Sequence, residues 1–158
     1  ILHLNWKKLI ISLLIPLGVG GLSAFISRKE MDMLETVNKP PLSPAGWLFP
    51  VVWTILYILM GISLYLISVS KADDTSKKTA YIVFGIQLFL NFLYSPVFFN
   101  MQQFLLAFFI LLVLWVMIIV MISVFYKISK PAALLQIPYL LWVTFAGYLT
   151  LGIYLLNR

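Results

Sequence analysis

Cysteine is absent from this chain of 158 residues, and charged residues are scarce. The absence of cysteine excludes disulfides, thiolate metal sites and thiol nucleophiles. Asp, Glu, Lys and Arg together make up only 10% of the residues, whereas 63% are hydrophobic. A soluble domain has roughly a quarter charged residues, and its core could not hide this much apolar surface from water. The composition therefore predicts a single domain, residues 1–158, that is solvated by lipid.

Ionisable side chains are missing from the long apolar stretches. No Asp or Glu falls inside any of them, and the single histidine, His3, precedes the first. Hydrolytic, metal-dependent and acid–base chemistry therefore have no candidate residues within the membrane, and proton-coupled transport has none either. The sequence favours binding through shape, stacking and neutral hydrogen bonds, without a metal, an obligatory cofactor or conventional enzyme chemistry.

Five charge-free stretches divide the chain: residues 9–26, 47–69, 80–99, 104–126 and 132–156. About 20 helical residues cross a hydrocarbon core of ~30 Å, so each stretch reads as a spanning helix. Charges lie only between or outside them, because a charge at the bilayer centre costs about 2.5–3.5 kcal/mol. Lys7 and Lys8 resemble the start of a signal peptide, but four further spans favour a retained helix. The sequence predicts an all-α, multi-pass integral membrane protein with five transmembrane helices.

The basic residues predict the orientation, because short cytoplasmic loops are enriched in them. One side of the membrane would carry seven of them: Lys7, Lys8, Lys71, Lys77, Lys78, Lys127 and Lys130. The other side would carry four: Arg28, Lys29, Lys39 and Arg158. We therefore expect the N-terminal side of the first span in the cytoplasm. This bias also explains the net charge of +6, so no nucleic-acid partner is expected.

The first loop is long, at about 20 residues, and it ends in a proline-rich run, Asn38–Pro44, shortly before Trp47. Prolines stiffen the backbone and remove hydrogen-bond donors, so this run should enter the second helix as a rigid segment. Such a segment can act as a lid over the bundle. The alternative is an ordinary helix start, where proline is common.

Prolines and small residues modify the spans themselves. Four prolines fall inside spans and predict bowed helices that can enclose a cavity: Pro16, Pro50, Pro96 and Pro138. Gly20 and Ala24 form a small-xxx-small pair in the first span. That pair indicates close helix contact, either within the bundle or across a dimer.

Three tryptophans, Trp53, Trp115 and Trp142, lie deep within their spans, whereas Trp6 and Trp47 mark span ends and read as interfacial anchors. A deep indole N–H has no water to bind, so each requires a protein or ligand partner. The alternative is plain helix packing.

Spacing places polar and aromatic residues on shared helix faces. Residues three or four apart form stripes on three spans: Trp53 and Tyr57; Gln87, Asn91, Tyr94, Ser95 and Phe98; and Tyr139, Trp142 and Ala146. A small Ala146 beside a large Trp142 would leave a slot for a flat ligand. Asn and Gln in a membrane can also serve only as interhelical hydrogen bonds, worth about 1 kcal/mol.

Three segments resemble the TspO, or translocator protein, family, also called tryptophan-rich sensory or peripheral-type benzodiazepine receptor proteins. The second-span segment is Lys39-Pro40-Pro41-x-x-Pro44-x-x-Trp47-x-Phe49-x-x-x-Trp53-Thr54-x-Leu56-Tyr57-x-x-Met60-Gly61. The third-span segment is Gln87-Leu88-x-Leu90-Asn91-x-x-Tyr94-Ser95-x-x-Phe98-Phe99, and the fifth-span segment is Pro138-Tyr139-x-x-Trp142-x-x-Phe145-Ala146. The resemblance covers nearly the whole chain, with departures that include Leu42, where the family often has Trp.

The resemblance implies a five-helix bundle, often a homodimer, in a bacterial cell membrane. Its cavity under the first loop would bind porphyrins such as protoporphyrin IX and heme-type tetrapyrroles, and benzodiazepine- or isoquinoline-type ligands, for tetrapyrrole sensing, disposal or stress response. Residues similar to the family pocket are Pro44, Phe49, Trp53, Tyr57, Asn91, Tyr94, Trp142 and Ala146.

Two alternative functions come with the same resemblance. One is light- and oxygen-dependent degradation of protoporphyrin, in which Trp53 and Trp142 would take part. The other is transport of porphyrin or sterol across the bilayer. The family's sterol motif is matched loosely by Leu151, Tyr154 and Arg158, a spacing that arises easily by chance in apolar helices.

Overall fold

The computed structural model describes residues 4–158, so His3 lies outside the described part of the chain. Six α-helices follow one another: α1 (Trp6–Ser27), α2 (Leu48–Ser68), α3 (Asp74–Ser95), α4 (Phe104–Ile128), α5 (Lys130–Leu134) and α6 (Ile137–Asn157). A 3₁₀-helix, Arg28–Glu35, continues α1, and a π-helical turn, Pro96–Asn100, continues α3. No strand occurs between residues 4 and 158. The predicted all-α fold is confirmed.

Five helical segments are long and apolar enough to cross a membrane: Trp6–Glu35, Leu48–Ser68, Asp74–Asn100, Phe104–Ile128 and Lys130–Asn157. Many large apolar side chains on their outer faces are exposed, among them Leu14, Phe89 and Leu141. Lipid can solvate such side chains, whereas a soluble monomer rarely exposes so many together. The protein is therefore an integral membrane protein with five spans, as the sequence predicts.

The third span begins before its charge-free stretch. The helix begins at Asp74, while the uncharged residues begin at Ala80. Asp73 caps it by accepting a hydrogen bond from the backbone N–H of Ser76 at 2.9 Å. Hydrogen bonding from the Ser76 side chain, and then from its backbone, holds the pKa of the exposed Asp73 carboxyl below its usual value. Charged residues thus show which part of this helix lies outside the hydrocarbon core, and the capping residue shows where the helix begins.

The fifth span consists of two helices. Between α5 and α6 the backbone turns at Leu135 and Gln136, and Pro138 lies in the first turn of α6. Proline has no N–H to donate to the carbonyl four residues earlier, so a continuous helix would lose a bond here. The break leaves a short helix, α5, at one end of the bundle, where it packs against α4 and α2 and Ser63 Oγ donates to the Ala132 carbonyl at 2.7 Å.

The spans form a ring with one open side. Neighbouring helices pack in the order α2, α1, α3, α4 and α6, whereas the backbones of α2 and α6 stay apart over most of their length. Close packing elsewhere in the ring has identifiable causes. A Cβ atom on Gly61 of α2 would lie 2.7 Å from Leu13 Cα, and Ser23 Oγ of α1 donates to the Phe92 carbonyl of α3 at 2.9 Å. The loosest pair in the ring is therefore α2 and α6.

Candidate ligand site between α2 and α6

A chain of four hydrogen-bonded side chains lies in the core of the bundle. Tyr57 Oη donates to Asn91 Oδ1 at 2.7 Å, and Asn91 Nδ2 donates to Tyr139 Oη at 2.8 Å. Tyr139 Oη in turn donates to Gln87 Oε1 at 2.7 Å. All four residues are buried, and none carries a charge. The chain ties α2, α3 and α6 together with neutral groups, which low-dielectric surroundings make costly to break.

Aromatic rings fill the space between α2 and α6. Trp53 stacks on Tyr57 of the same helix, with 5.7 Å between the ring centroids, and meets the edge of Tyr139 across the gap at 6.3 Å. One turn away, Phe49 meets Trp142 edge-to-face at 5.7 Å. These side chains therefore bridge two helices whose backbones do not pack, and separating the rings would open a flat, apolar space.

Trp142 is the one ring of this cluster whose donor is both buried and without a partner in the described part of the chain. Its ring is half-buried, its Nε1 atom is buried, and the N–H has no hydrogen-bond partner among residues 4–158. Leaving a buried donor without an acceptor costs about 1–3 kcal/mol of stability. A ligand that supplied an acceptor to this N–H would recover part of that free energy. The site thus offers a neutral donor at the edge of an aromatic wall.

A groove leads from the lipid side to this cluster. It has a volume of about 370 Å³ and is lined by Val52, Ile55, Leu56, Pro138, Leu141 and Trp142. Every lining residue except Trp142 is purely hydrocarbon, so the groove favours an apolar occupant.

The first loop covers the end of the bundle opposite α5. Asn38 and Asn157 bond reciprocally: Asn38 N donates to Asn157 Oδ1 at 3.0 Å, and Asn157 Nδ2 donates to the Asn38 carbonyl at 2.7 Å. Buried Pro40 fits against Gly152, where an added Cβ would lie 2.7 Å from Pro40 Cβ. Tyr148 Oη donates to the Pro41 carbonyl at 2.7 Å. These contacts, which we call the loop clamp, hold the loop on α6.

Part of this loop has a backbone that its sequence does not reveal. Arg28–Glu35 is a 3₁₀-helix, and the turn before α2 places Leu42 at a φ of 72°, a left-handed conformation unusual for leucine. The Leu42 side chain is 82% exposed, so it contributes little to covering the site.

Most of the sequence-predicted site residues come together in this region. Phe49, Trp53, Tyr57, Asn91 and Trp142 form the aromatic and hydrogen-bonded cluster just described. Ala146 is buried in the same apolar core, one turn from Trp142.

Two other predicted residues lie apart from the hydrogen-bonded chain. Tyr94 is one turn beyond Asn91, where its hydroxyl shares a 2.7 Å hydrogen bond with Thr150 and its ring stacks on Phe98. Pro44 lies half-buried in the loop that precedes α2.

Tyr139 and Gln87 belong to the cluster, although the predicted site did not include them. Both occur in the polar and aromatic stripes, three or four residues from Trp142 and Asn91 respectively. That spacing could have identified them from the sequence, because residues three or four apart share one helix face.

Trp115 and Gly20 have structural roles. Trp115 Nε1 donates to Thr144 Oγ1 at 2.8 Å between α4 and α6, so this deep indole N–H has a partner within the protein and needs no ligand. Gly20 is buried beneath the ring of Tyr57, where any added Cβ would overlap that ring. Its small size therefore serves the contact of α1 with α2 inside the bundle.

The residues of the sterol-type spacing do not share one environment. Leu151 lines a second groove of about 260 Å³, between α4 and α6, together with Trp115 and Gly147. Tyr154 is half-buried, and Arg158 is exposed beyond the end of α6.

Five spans around an uncharged, aromatic and hydrogen-bonded interior define a polytopic all-α membrane protein with an internal aromatic cluster. The sequence profile of the TspO/MBR family matches residues 12–156. The chain therefore belongs to the TspO/MBR family, and the predicted resemblance is confirmed.

Relatives from three domains of life support this assignment. The chain is 39% identical over 149 residues to the tryptophan-rich protein TspO of Chlorobaculum tepidum, which covers 94% of each chain. It is 38% identical over 155 residues to the TspO protein of Archaeoglobus fulgidus, covering 98% of this chain and 99% of that one. It is also 33% identical over 148 residues to the translocator protein of Bos taurus, covering 91% of this chain and 86% of that one.

Proposed function

We propose that this chain is a membrane receptor that binds porphyrins such as protoporphyrin IX and other tetrapyrroles. Flat benzodiazepine- or isoquinoline-type molecules would compete for the same site. The observation that carries the proposal is the uncharged aromatic cluster between α2 and α6, with a buried Trp142 N–H that has no acceptor within the described residues. A planar ring with polar edges matches both features.

Binding would separate rings that now touch each other across the gap. The ligand would stack between Trp53 and Trp142, taking over contacts that Tyr139 and Phe49 make in this structure. Trp142 Nε1 would donate to a polar edge of the ligand. Asn91 already uses its Oδ1 on Tyr57 and its Nδ2 on Tyr139, so its role would be to position these two tyrosines.

A role in sensing or disposal of tetrapyrroles agrees with the family. The relative from Cereibacter sphaeroides, which is 29% identical over 145 residues, is named a tryptophan-rich sensory protein. The charge-free stretches within the spans also lack the Asp, Glu and His residues that proton-coupled transporters use. We therefore favour a receptor over a driven transporter.

The membrane and the orientation belong to the same proposal. We place the protein in a bacterial cell membrane with the N-terminal side of α1 in the cytoplasm. This orientation puts the loop clamp and the 3₁₀-helix on the outer side and α5 on the inner side. It rests on the excess of Lys and Arg around α5 and the α2–α3 loop.

Titration with protoporphyrin IX tests the binding site. Saturable shift of the porphyrin Soret band and quenching of tryptophan fluorescence are expected in the unaltered protein. Trp53→Phe combined with Trp142→Phe should abolish the saturable Soret shift, and Trp142→Phe alone should weaken binding by about tenfold, because it deletes one hydrogen-bond donor.

Trp115→Phe is the matched control, since Trp115 bonds Thr144 on the other side of α6. It should leave the porphyrin affinity unchanged. Undiminished binding by the double variant, with its helical circular dichroism intact, would contradict the assigned site.

A further inference from the structure

The open side of the ring is exposed to lipid. We name it the α2–α6 seam and define it by the residues that line its groove: Val52, Ile55, Leu56, Pro138, Leu141 and Trp142. Ile55 is 52% exposed and Leu141 is 65% exposed, so these two side chains form the outer rim of the groove. Trp142 forms its inner wall, and its ring contacts Phe49 of the aromatic cluster. The seam therefore runs from the hydrocarbon of the bilayer to the candidate ligand site.

Both ends of the bundle are closed around this seam. At one end α5 packs against α2 and is fixed by the hydrogen bond from Ser63 to Ala132. At the other end the loop clamp joins the first loop to α6 through Asn38 and Asn157. A ligand that arrived along the membrane normal would have to break one of these closures. Across the seam, two ring pairs join α2 to α6, Phe49 with Trp142 and Trp53 with Tyr139, and the hydrogen-bonded chain links the two helices indirectly, through Asn91 of α3.

The chemistry of the seam selects what can pass it. Its lining offers hydrocarbon and one indole, with no charge and no hydroxyl group. A hydrated solute would lose its hydrogen bonds to water there without replacement, which costs free energy. A flat aromatic molecule dissolved in lipid has no such hydration to lose. Phe49 and Trp53 of α2 are half-buried, so rotation of these two side chains would part both ring pairs while Tyr139 keeps its hydrogen bonds to Asn91 and Gln87.

We propose that flat aromatic ligands enter the site laterally from the bilayer, by parting the rings of the α2–α6 seam while the loop clamp stays closed. The identity of the ligand rests on the proposed function. The route rests on the seam, the clamp and α5.

Cross-linking tests the route, because the chain has no cysteine of its own. Ile55→Cys combined with Leu141→Cys allows a bismaleimide to tie the rim of the seam. Asn38→Cys combined with Asn157→Cys allows the same reagent to tie the loop clamp. The probe is the dimethyl ester of protoporphyrin IX, a neutral porphyrin, supplied in liposomes of phosphatidylcholine that are mixed with proteoliposomes of the same lipid.

The association rate of the ester is the decisive measurement. Cross-linking the seam should slow association by about tenfold or more, whereas cross-linking the clamp should change it by less than about twofold. Monofunctional maleimide on the same cysteines controls for added bulk and should leave both rates near those of the unmodified variants. The lateral route would be overturned if cross-linking the loop clamp slowed association while cross-linking the seam left association fast.

Failure of the route and failure of the proposed function give different results. If the ester binds the uncross-linked protein in a manner that depends on Trp53 and Trp142, and the seam cross-link leaves its rate unchanged, only the route is overturned. If the ester shows no saturable binding to any variant, the result contradicts both the proposed function and the route.

Discussion

Asn91 illustrates how a single neutral side chain organises this site. Its amide oxygen accepts a hydrogen bond from Tyr57, and its amide nitrogen donates one to Tyr139, so both polar atoms of the side chain have partners. Tyr139 has a second partner in Gln87, whereas Asn91 is the only partner found for the Tyr57 hydroxyl within the described residues. Loss of the amide would consequently affect Tyr57 more than Tyr139.

We expect Asn91→Leu to lower the free energy of unfolding by about 1–3 kcal/mol, because it leaves the buried Tyr57 hydroxyl without an acceptor. Tyr57→Phe in the Asn91→Leu background should then cost much less than Tyr57→Phe in the unaltered protein. Unfolding of the four proteins in detergent measures this coupling. Additive effects of the two changes would show that the hydrogen bond contributes nothing to stability.

Gln136 is the opposite case, a buried amide without partners. It lies at the junction of α5 and α6 with no exposed surface, and neither Oε1 nor Nε2 finds a hydrogen-bond partner in the described part of the chain. We expect Gln136→Leu to raise the free energy of unfolding by about 1 kcal/mol and the apparent melting temperature by a few degrees.

Gln103→Leu is the matched control for this change, because Gln103 is exposed at the start of α4 and its side chain makes no capping bond. It should leave the melting temperature unchanged. A lower melting temperature for Gln136→Leu would contradict the prediction and would indicate that the amide is satisfied in the membrane.

At the scale of the helices, the contact of α1 with α2 depends on a glycine beneath an aromatic ring. An added Cβ on Gly20 would overlap the Tyr57 ring, whereas one on Gly21 would meet nothing within 4 Å. We expect Gly20→Ala to destabilise the protein by about 1–3 kcal/mol, as overpacking does, and to weaken porphyrin binding by displacing Tyr57.

Gly21→Ala should be neutral or slightly stabilising, since alanine favours the helix by up to about 1 kcal/mol over glycine. Thermal unfolding and porphyrin titration of both variants provide the comparison. Equal stability and affinity of the two would mean that α1 and α2 do not pack through Gly20 in the membrane.

The helices also show what the sequence can and cannot predict. The five spans follow from charge, because lipid excludes Lys, Arg, Asp and Glu from the hydrocarbon and leaves the boundaries visible. The pairing of Trp53 with Tyr57 follows from helical spacing, because residues four apart share a face. Spacing also places Asn91 on a polar face of the third span, but its hydrogen bond to Tyr57 joins two helices and does not follow from spacing.

Other features were not visible in the sequence, since they depend on tertiary contacts. The fifth span is divided into α5 and α6 because Pro138 interrupts the helical hydrogen bonds and because α5 packs against α2. The sequence shows the proline, but it does not show that packing contact. The loop clamp joins Asn38 to Asn157, which are far apart in the chain, and no local pattern indicates such a pair. Trp115 and Trp142 look alike as deep indoles, but only the structure shows that Thr144 satisfies one of them.

For the whole molecule, the distribution of charge and the architecture are linked. Lys71 in the α2–α3 loop and Lys77 in α3 lie at the same end of the bundle as α5, which packs against α2, and Lys77 Nζ donates to the Ser68 carbonyl at the end of α2. The loop clamp lies at the opposite end of the bundle. Which end faces the cytoplasm therefore decides whether the clamp or α5 faces the outside of the cell.

Single cysteines in this cysteine-free chain measure that orientation. Thr75 is exposed in the first turn of α3, and Glu30 is exposed in the 3₁₀-helix of the first loop, so the two positions mark opposite ends. In intact bacterial cells, we expect a membrane-impermeant maleimide to label Glu30→Cys and to leave Thr75→Cys unlabelled until the cells are permeabilised. The reason is that Lys and Arg in short loops are retained on the cytoplasmic side, and the seven basic residues share the end that carries Thr75. Neither substitution removes a basic residue, so the labelling reports the native bias. Labelling of Thr75→Cys in intact cells, with Glu30→Cys protected, would reverse the assignment and would turn the loop clamp toward the cytoplasm.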